Sequence, residues 1–215
     1  MSKPARAGAV ALVAGPVLGL VSMLVLPTLS DGGSDLVKAL TAQHGAMVTG
    51  LTLQTLSIPI MIAGLVWLAI TLVPHSPRLA VAGGIAGVAG GLVILFEDGV
   101  ADSAPSIVSS LDPNHATTAL DRISSSAAAS VDPLALLFDL GVALLAFAAV
   151  RGGAPRWIAP TLTVCAFAQG VGFGSGARPL VAVAFAAMAV LLGLVVRSLR
   201  SSDVWHASPQ SVAVA

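Results

Sequence analysis

Tyrosine is missing altogether and charge is scarce: ten Lys and Arg with ten Asp and Glu make up only 9% of 215 residues. A soluble domain carries roughly a quarter of its residues as charges, so this chain lacks the means to hydrate a globular surface. Net charge is zero, which removes any global field toward nucleic acid or an acidic partner. The single cysteine, Cys165, excludes an internal disulfide, and there is no CxxC pair and no lipobox-like cysteine near the N-terminus. Inside its apolar run, Cys165 reads as a small core residue. With three Trp and six Phe as the only aromatics, the chain has little from which to build the walls that stabilise a carbocation. HExxH and GxSxG are absent, so neither a zincin centre nor a nucleophile elbow is encoded. His44, His75, His115 and His206 all fall outside the apolar cores, which leaves no axial pair for haem. No cofactor and no metal is expected.

What the chain does have is hydrophobic length. Apolar residues make up 56% of it, and its mean hydropathy is +0.96. A helix needs about 20 apolar residues to cross the hydrocarbon core. Six runs approach or exceed that: Gly8–Leu29, Met47–Val73, Leu79–Phe96, Pro133–Val150, Trp157–Gly174 and Pro179–Val196. None contains Lys or Arg, and only the fourth contains a carboxylate. The first is too long for a signal-peptide core and no A-x-A site follows it, so it reads as an uncleaved span. Pro59, inside the second, removes a helical donor and makes a kink the expectation. The predicted fold is all-α: one polytopic membrane helix bundle over residues 1–215 with six transmembrane helices, an outer loop at 97–132 and a flexible cytoplasmic tail at 197–215.

Orientation follows from where the cations fall. Lys3, Arg6, Arg78, Arg151, Arg156, Arg197 and Arg200 share one side, against Lys38, Arg122 and Arg178 on the other. Seven against three places both termini in the cytoplasm, with Trp157 as an interface anchor beside Arg156. The cytoplasmic loops at 74–77 and 151–156 leave no room for a soluble catalytic domain. Each carries a Pro-Arg step before an apolar segment, which hints at a repeat of segments 2–3 and 4–5 and is equally plain turn chemistry. In the outer loop, Asp112-Pro113 suits a helix start. Ala116, Leu120, Ile123 and Ala127 follow at helical spacing, describing one short amphipathic helix that packs on the membrane face or acts as a lid.

Gly83, Gly87 and Gly91 stand four apart and share one helix face. In lipid, association depends on close backbone approach, which a glycine stripe permits. The stripe fits a neighbour in this chain, a membrane partner or a second copy. The GVGFGSG run at 170–176 follows no strand and opens no βαβ unit, so it reads as a flexible membrane exit and not as a nucleotide loop.

Asp139 is the one carboxylate within a span. An ionisable group in hydrocarbon costs several kcal/mol unless paired, hydrated or carried as the neutral acid. It is therefore a candidate site, or else structural glue between helices. Asp132 before Pro133 reads as the cap of its helix, which places Asp139 in the outer half of the membrane. Gln54 and Gln169 fall in that half too, Glu97 and Asp98 close the third span, and Asp102 follows. Together they suggest an outward polar vestibule, with Asp139, Gln54 and Gln169 as its floor and Glu97 and Asp98 as its rim.

The run LFDLGVALLAFAAVRGGAPRWIAP (137–160) resembles a pattern recurring in small multi-pass membrane proteins of high-GC actinobacteria. There, an apolar helix ends in a short Arg/Gly/Pro-Arg-Trp turn and a second helix follows. The likeness implies a plasma-membrane helical bundle and carries no catalytic residue with it. Three functional classes stay open. One is a non-catalytic protein, either a partner subunit or a binder of a lipophilic ligand, embedded in the bilayer. A second is a small proton- or ion-coupled transporter using Asp139. The third is a membrane enzyme using the carboxylates of the outer face.

Overall fold

A computed structural model describes residues 3–26, 33–101, 104–124 and 127–201. In hydrocarbon every backbone N–H and C=O must be satisfied within the segment, and the long apolar runs answer as helices. The helices are α1 (Lys3–Val25), α2 (Gly33–Ala42), α3 (His44–Leu72), α4 (Pro77–Ala101), α5 (Ala104–Ser110), α6 (Pro113–Ser124), α7 (Ala127–Arg151), α8 (Ile158–Gly174) and α9 (Arg178–Ser201). No strand occurs among the described residues.

Six of the helices close a ring. In order around it, α1 packs on α3, α3 on α4, α4 on α7, α7 on α8, α8 on α9, and α9 returns to α1. Short connections make sequential neighbours antiparallel. The three short helices gather at one end, the cap end, where Val37, Leu40, Met47 and Ala116 form a small core of their own with Ile107 and Val108 packed against it. The turns around Ser76 and Gly152 lie at the other end, together with Lys3, Arg6, Arg151 and Arg200; this is the basic end. There, Arg151 Nη1 donates to the buried Ser76 Oγ at 3.3 Å and ties the two turns together. The main core runs through the ring on Leu12, Leu65, Phe138, Leu145, Leu162 and Phe185. Leu24, Ile70, Ile85 and Val164 point outward and are about 70% exposed, as a lipid-facing skin requires.

Among the described residues, five helices are long and apolar enough to cross a membrane: Lys3–Val25, His44–Leu72, Pro77–Gly99, Pro133–Arg151 and Arg178–Ser201. The run expected to cross at 157–174 forms a helix of 17 residues. At 1.5 Å per residue that is about 25 Å, short of a core about 30 Å thick. Both of its ends are set by turns. Before it, the chain makes a Schellman stop: Gly153 has φ 102°, the Ala154 N–H reaches Ala149 O at 2.9 Å and the Gly153 N–H reaches Val150 O at 3.2 Å. After it comes a second: Gly176 has φ 68°, with Ala177 N–H on Gly172 O at 2.9 Å and Gly176 N–H on Phe173 O at 3.2 Å. The 170–176 run is thus the last turn of α8 and its hydrogen-bonded stop, where a flexible exit was expected.

Other boundaries differ as well. α7 begins six residues before Pro133, which lies inside the helix and not at its start. One backbone bond is lost there, while the alanines at 127–129 favour continuing the helix backward. The tail expected from 197 is helical to Ser201, and residues beyond it lie outside the described set. The outer loop forms two helices where one was expected, and α2 joins them from the α1–α3 connection. α6 begins where Asp112 Oδ1 accepts the backbone N–H groups of Asn114 (3.1 Å) and His115 (3.2 Å), an N-cap that satisfies two orphan donors. The side chains of Leu120, Ile123 and Ala127, and the whole of Asp102, lie outside the described set.

Candidate functional site

Small residues decide how close the helices come, and so where the polar groups lie. A Cβ at Gly64 would fall on the backbone of Leu12, and one at Gly15 would meet Met61 Cβ at 2.7 Å, so α1 and α3 touch backbone to backbone. The α4 stripe makes the next two contacts. A Cβ at Gly83 would meet Leu145 Cγ at 2.9 Å and Gly141 O at 3.1 Å on α7. Gly87 faces Gly141, where an added Cβ would land on the Gly87 backbone. Gly91 instead takes Ile62 of α3, at 2.7 Å from its would-be Cβ. This face, considered above also for a partner or a second copy, is filled by the chain's own α7 and α3.

Among the buried polar side chains of the ring so formed, three carry a carboxyl or an amide and lie toward its cap end: Asp98 (8% exposed), Asp139 (5%) and Gln169 (4%). Gln54 on α3 donates through Nε2 to Asp98 Oδ1 on α4 at 2.8 Å. Each helix leaves one polar group at the same depth, and pairing removes much of the cost of burying both. Glu97, one residue before, is half-buried. Asp139 on α7 faces α8: its Oδ2 lies 2.7 Å from where a Gly170 Cβ would stand. The missing side chain at Gly170 makes room for the carboxyl. Among the described residues no hydrogen bond or ion pair reaches that carboxyl, and Gln169 Oε1, one residue from Gly170, is buried with no partner.

Two tiers result. Phe138 backbone lies against Gly90, so Asp139 is level with that part of α4. Asp98 is eight residues further along α4, about 12 Å nearer the cap. Gln54 belongs with Asp98 in the upper tier, not with Asp139 and Gln169 in the lower. No hydrogen bond joins the tiers among the described residues. Asp98, Asp139 and Gln169 are buried between helices, while Gln54 and Glu97 are partly exposed.

Arg178, the first residue of α9, donates through Nη2 to Met23 O at 3.0 Å and also to Leu26 O. It supplies donors and positive charge to the C-terminal end of α1, where carbonyls lack intrahelical partners. Sequence reasoning had counted Arg178 only as a cation in a loop. It also missed Gly141 and Gly170, although each stands within two residues of a polar group already singled out. No cluster of three or more His, Cys, Asp or Glu side chains able to hold a metal is found among the described residues.

No family model matches the chain, and no curated protein or solved structure matches it. What the fold defines is a class, a helical bundle whose apolar helices are those of an integral membrane protein.

Proposed function

We propose that this is a plasma-membrane protein with both termini in the cytoplasm and the cap outside. It works without catalysis, as a partner subunit or as the binder of a lipophilic ligand. The observation that carries the ligand reading is the lower tier: Asp139 on α7 lies against Gly170 of α8, and Gln169, one residue before it, is buried as well. Gln169 Oε1 has no donor there among the described residues. A buried acceptor without a donor costs about 1–3 kcal/mol, which a ligand bringing a hydroxyl or amide would recover. The apolar walls around it, Phe138 and Ala166 among them, suit the rest of a lipophile. The seven cations of the basic end support the cytoplasmic assignment.

The test is gentle purification from native membranes, followed by mass spectrometry of what travels with the protein. A small lipophile at one per chain, lost in Gln169→Leu while the protein stays folded, supports the ligand reading. A stoichiometric protein partner and no lipophile supports the subunit reading instead. A chain that carries neither overturns both.

A second reading, a proton-coupled carrier, is favoured by one observation: the Asp139 carboxyl has no partner among the described residues. In proteoliposomes, Asp139→Asn would then abolish proton uptake driven by a pH gradient. Uptake unchanged in the variant removes Asp139 from the coupling.

A further inference from the structure

A groove runs along the outside of the ring between α1 and α9, far from the polar tiers. Ala9, Val13 and Val17 line one wall; Gly193, Val196 and Arg200 line the other. Its volume is about 350 Å³. The two walls are shallow because α9 has glycine at its middle: a Cβ at Gly193 would meet nothing within 4 Å. The groove is apolar until it reaches Arg200, at the basic end. On α1, Lys3, Arg6, Val10, Val13 and Val17 recur at helical spacing, so the exposed Lys3 and Arg6 continue the wall toward the same end. Arg197, exposed and four residues after Gly193, extends the opposite wall in the same way.

These four cations form no ion pair among the described residues. The described carboxylates are Glu97, Asp98, Asp112 and Asp139, and the last of these is twelve residues from Arg151 at the basic end. No described carboxylate therefore neutralises the charge at this mouth.

We infer that the α1–α9 groove is a binding site for an anionic phospholipid of the leaflet at the basic end. One acyl chain lies along Val13, Val17 and Gly193, and the phosphate sits among Arg200, Arg197, Arg6 and Lys3. Charge complementarity selects this occupant: a zwitterionic lipid fills the groove equally well but brings a cation to a mouth that is already cationic. A second copy of this chain would bring the same four cations and repel. The site is independent of the ligand reading given above, since it shares no residue with it.

The test is native mass spectrometry of the full chain, delipidated in detergent and titrated with phosphatidylglycerol or phosphatidylcholine. Phosphatidylglycerol is expected to bind several-fold more tightly. Arg200→Gln, on an exposed side chain, should cut that preference about fivefold and leave phosphatidylcholine binding unchanged. Gly193→Leu, whose Cβ meets nothing within 4 Å, extends a side chain into the groove and should weaken binding of both lipids. Thermal unfolding in detergent verifies that each variant is folded; Arg200→Gln alone decides the outcome if Gly193→Leu is not. Equal binding of the two lipids by the wild-type chain overturns the inference. So does a folded Arg200→Gln chain that keeps the full preference, or a dimer that forms in place of lipid binding.

Discussion

Single glycines carry much of the packing here, and Gly141 and Gly45 mark the two extremes. At Gly141 a Cβ would fall on the Gly87 backbone and lie 2.8 Å from Gly83 O, so no side-chain shift relieves it. Gly141→Ala must push α7 from α4. It is expected to lower stability by about 1–3 kcal/mol, read as the unfolding midpoint in detergent. At Gly45, in the first turn of α3, a Cβ meets nothing within 4 Å. Gly45→Ala should instead stabilise, by about 0.5–1 kcal/mol, through the lost freedom of the unfolded chain. Equal effects at the two positions would undo this account of the α4–α7 contact. A different residue pair sets a pH dependence. At the start of α6, the His115 ring Nδ1 contacts Asp112 Oδ2, and both side chains are largely exposed. The hydrogen bond to Asp112, with its negative charge, raises the His115 pKa; the same bond, with the backbone N–H of His115, lowers that of Asp112. The histidine's share of the stabilisation is complete below the ordinary histidine value, about 6.5, and fades as pH rises through the raised one. The aspartate's share is present above the ordinary carboxylate value, about 4, and fades as pH falls through the lowered one. Protection against amide exchange in the first turn of α6, taken relative to the intrinsic rate at each pH, should therefore be greatest between about pH 4 and 6.5. Asp112→Asn should bring the His115 titration, followed by NMR, back toward the ordinary value; no movement would mean the pair does not form in solution.

Helix ends follow from backbone geometry more than from hydropathy. Gly153 stops α7 with φ 102°, a conformation that L side chains rarely adopt. Gly153→Ala should cost about 1–2 kcal/mol and loosen the turn that feeds α8, whereas Gly153→Asn should cost less. The unfolding midpoints of the two variants check this ranking, and a neutral alanine would contradict it. The long spans were legible in the sequence because an apolar run of about 20 residues in lipid has few options besides a helix. α2 and α5 were not legible. They have ten and seven residues, and only the cap core reveals that Val37, Leu40, Ile107 and Val108 face one another. Pro133 misled in the same way. A proline after an aspartate fits a helix start, but local chemistry at one residue does not say where the preceding alanines go. The candidate site was legible in part. Composition singles out Asp139, Gln54, Gln169 and Asp98 as polar groups among apolar neighbours. The Gln54–Asp98 hydrogen bond joins residues 44 apart in sequence, and such a partner is chosen by ring order, which no local pattern encodes. The room that Gly170 leaves for Asp139 depends on the approach of α8 to α7, and that too is set by the ring.

For the molecule as a whole, the open quantity is how many times the chain crosses, and the ring constrains it. Arg151 ends α7 at the basic end, tied to Ser76. Arg178 opens α9 at the cap end, tied to the end of α1. The 26 residues between them, with α8 as their helix, must traverse the ring from one end to the other. α8 is about 25 Å long, and the turn residues Arg156 and Trp157 extend it toward the interface. Local thinning of the bilayer absorbs a mismatch of this size at a fraction of a kcal/mol per Å. Six crossings are the expected result, although among the described residues five helices reach the usual length. Single cysteines in a Cys165→Ala background decide it: Arg6→Cys, His115→Cys and Ser201→Cys, labelled in intact cells with a membrane-impermeant maleimide. With six crossings His115→Cys labels from outside, and Arg6→Cys and Ser201→Cys label only after the cells are opened. With five, Ser201→Cys and Arg6→Cys label from opposite sides, and α8 would have to fold back within one leaflet. That arrangement would leave Arg178 on the wrong side of the membrane to reach the carbonyls of Met23 and Leu26, so it would break the ring at its closure as well as change the count.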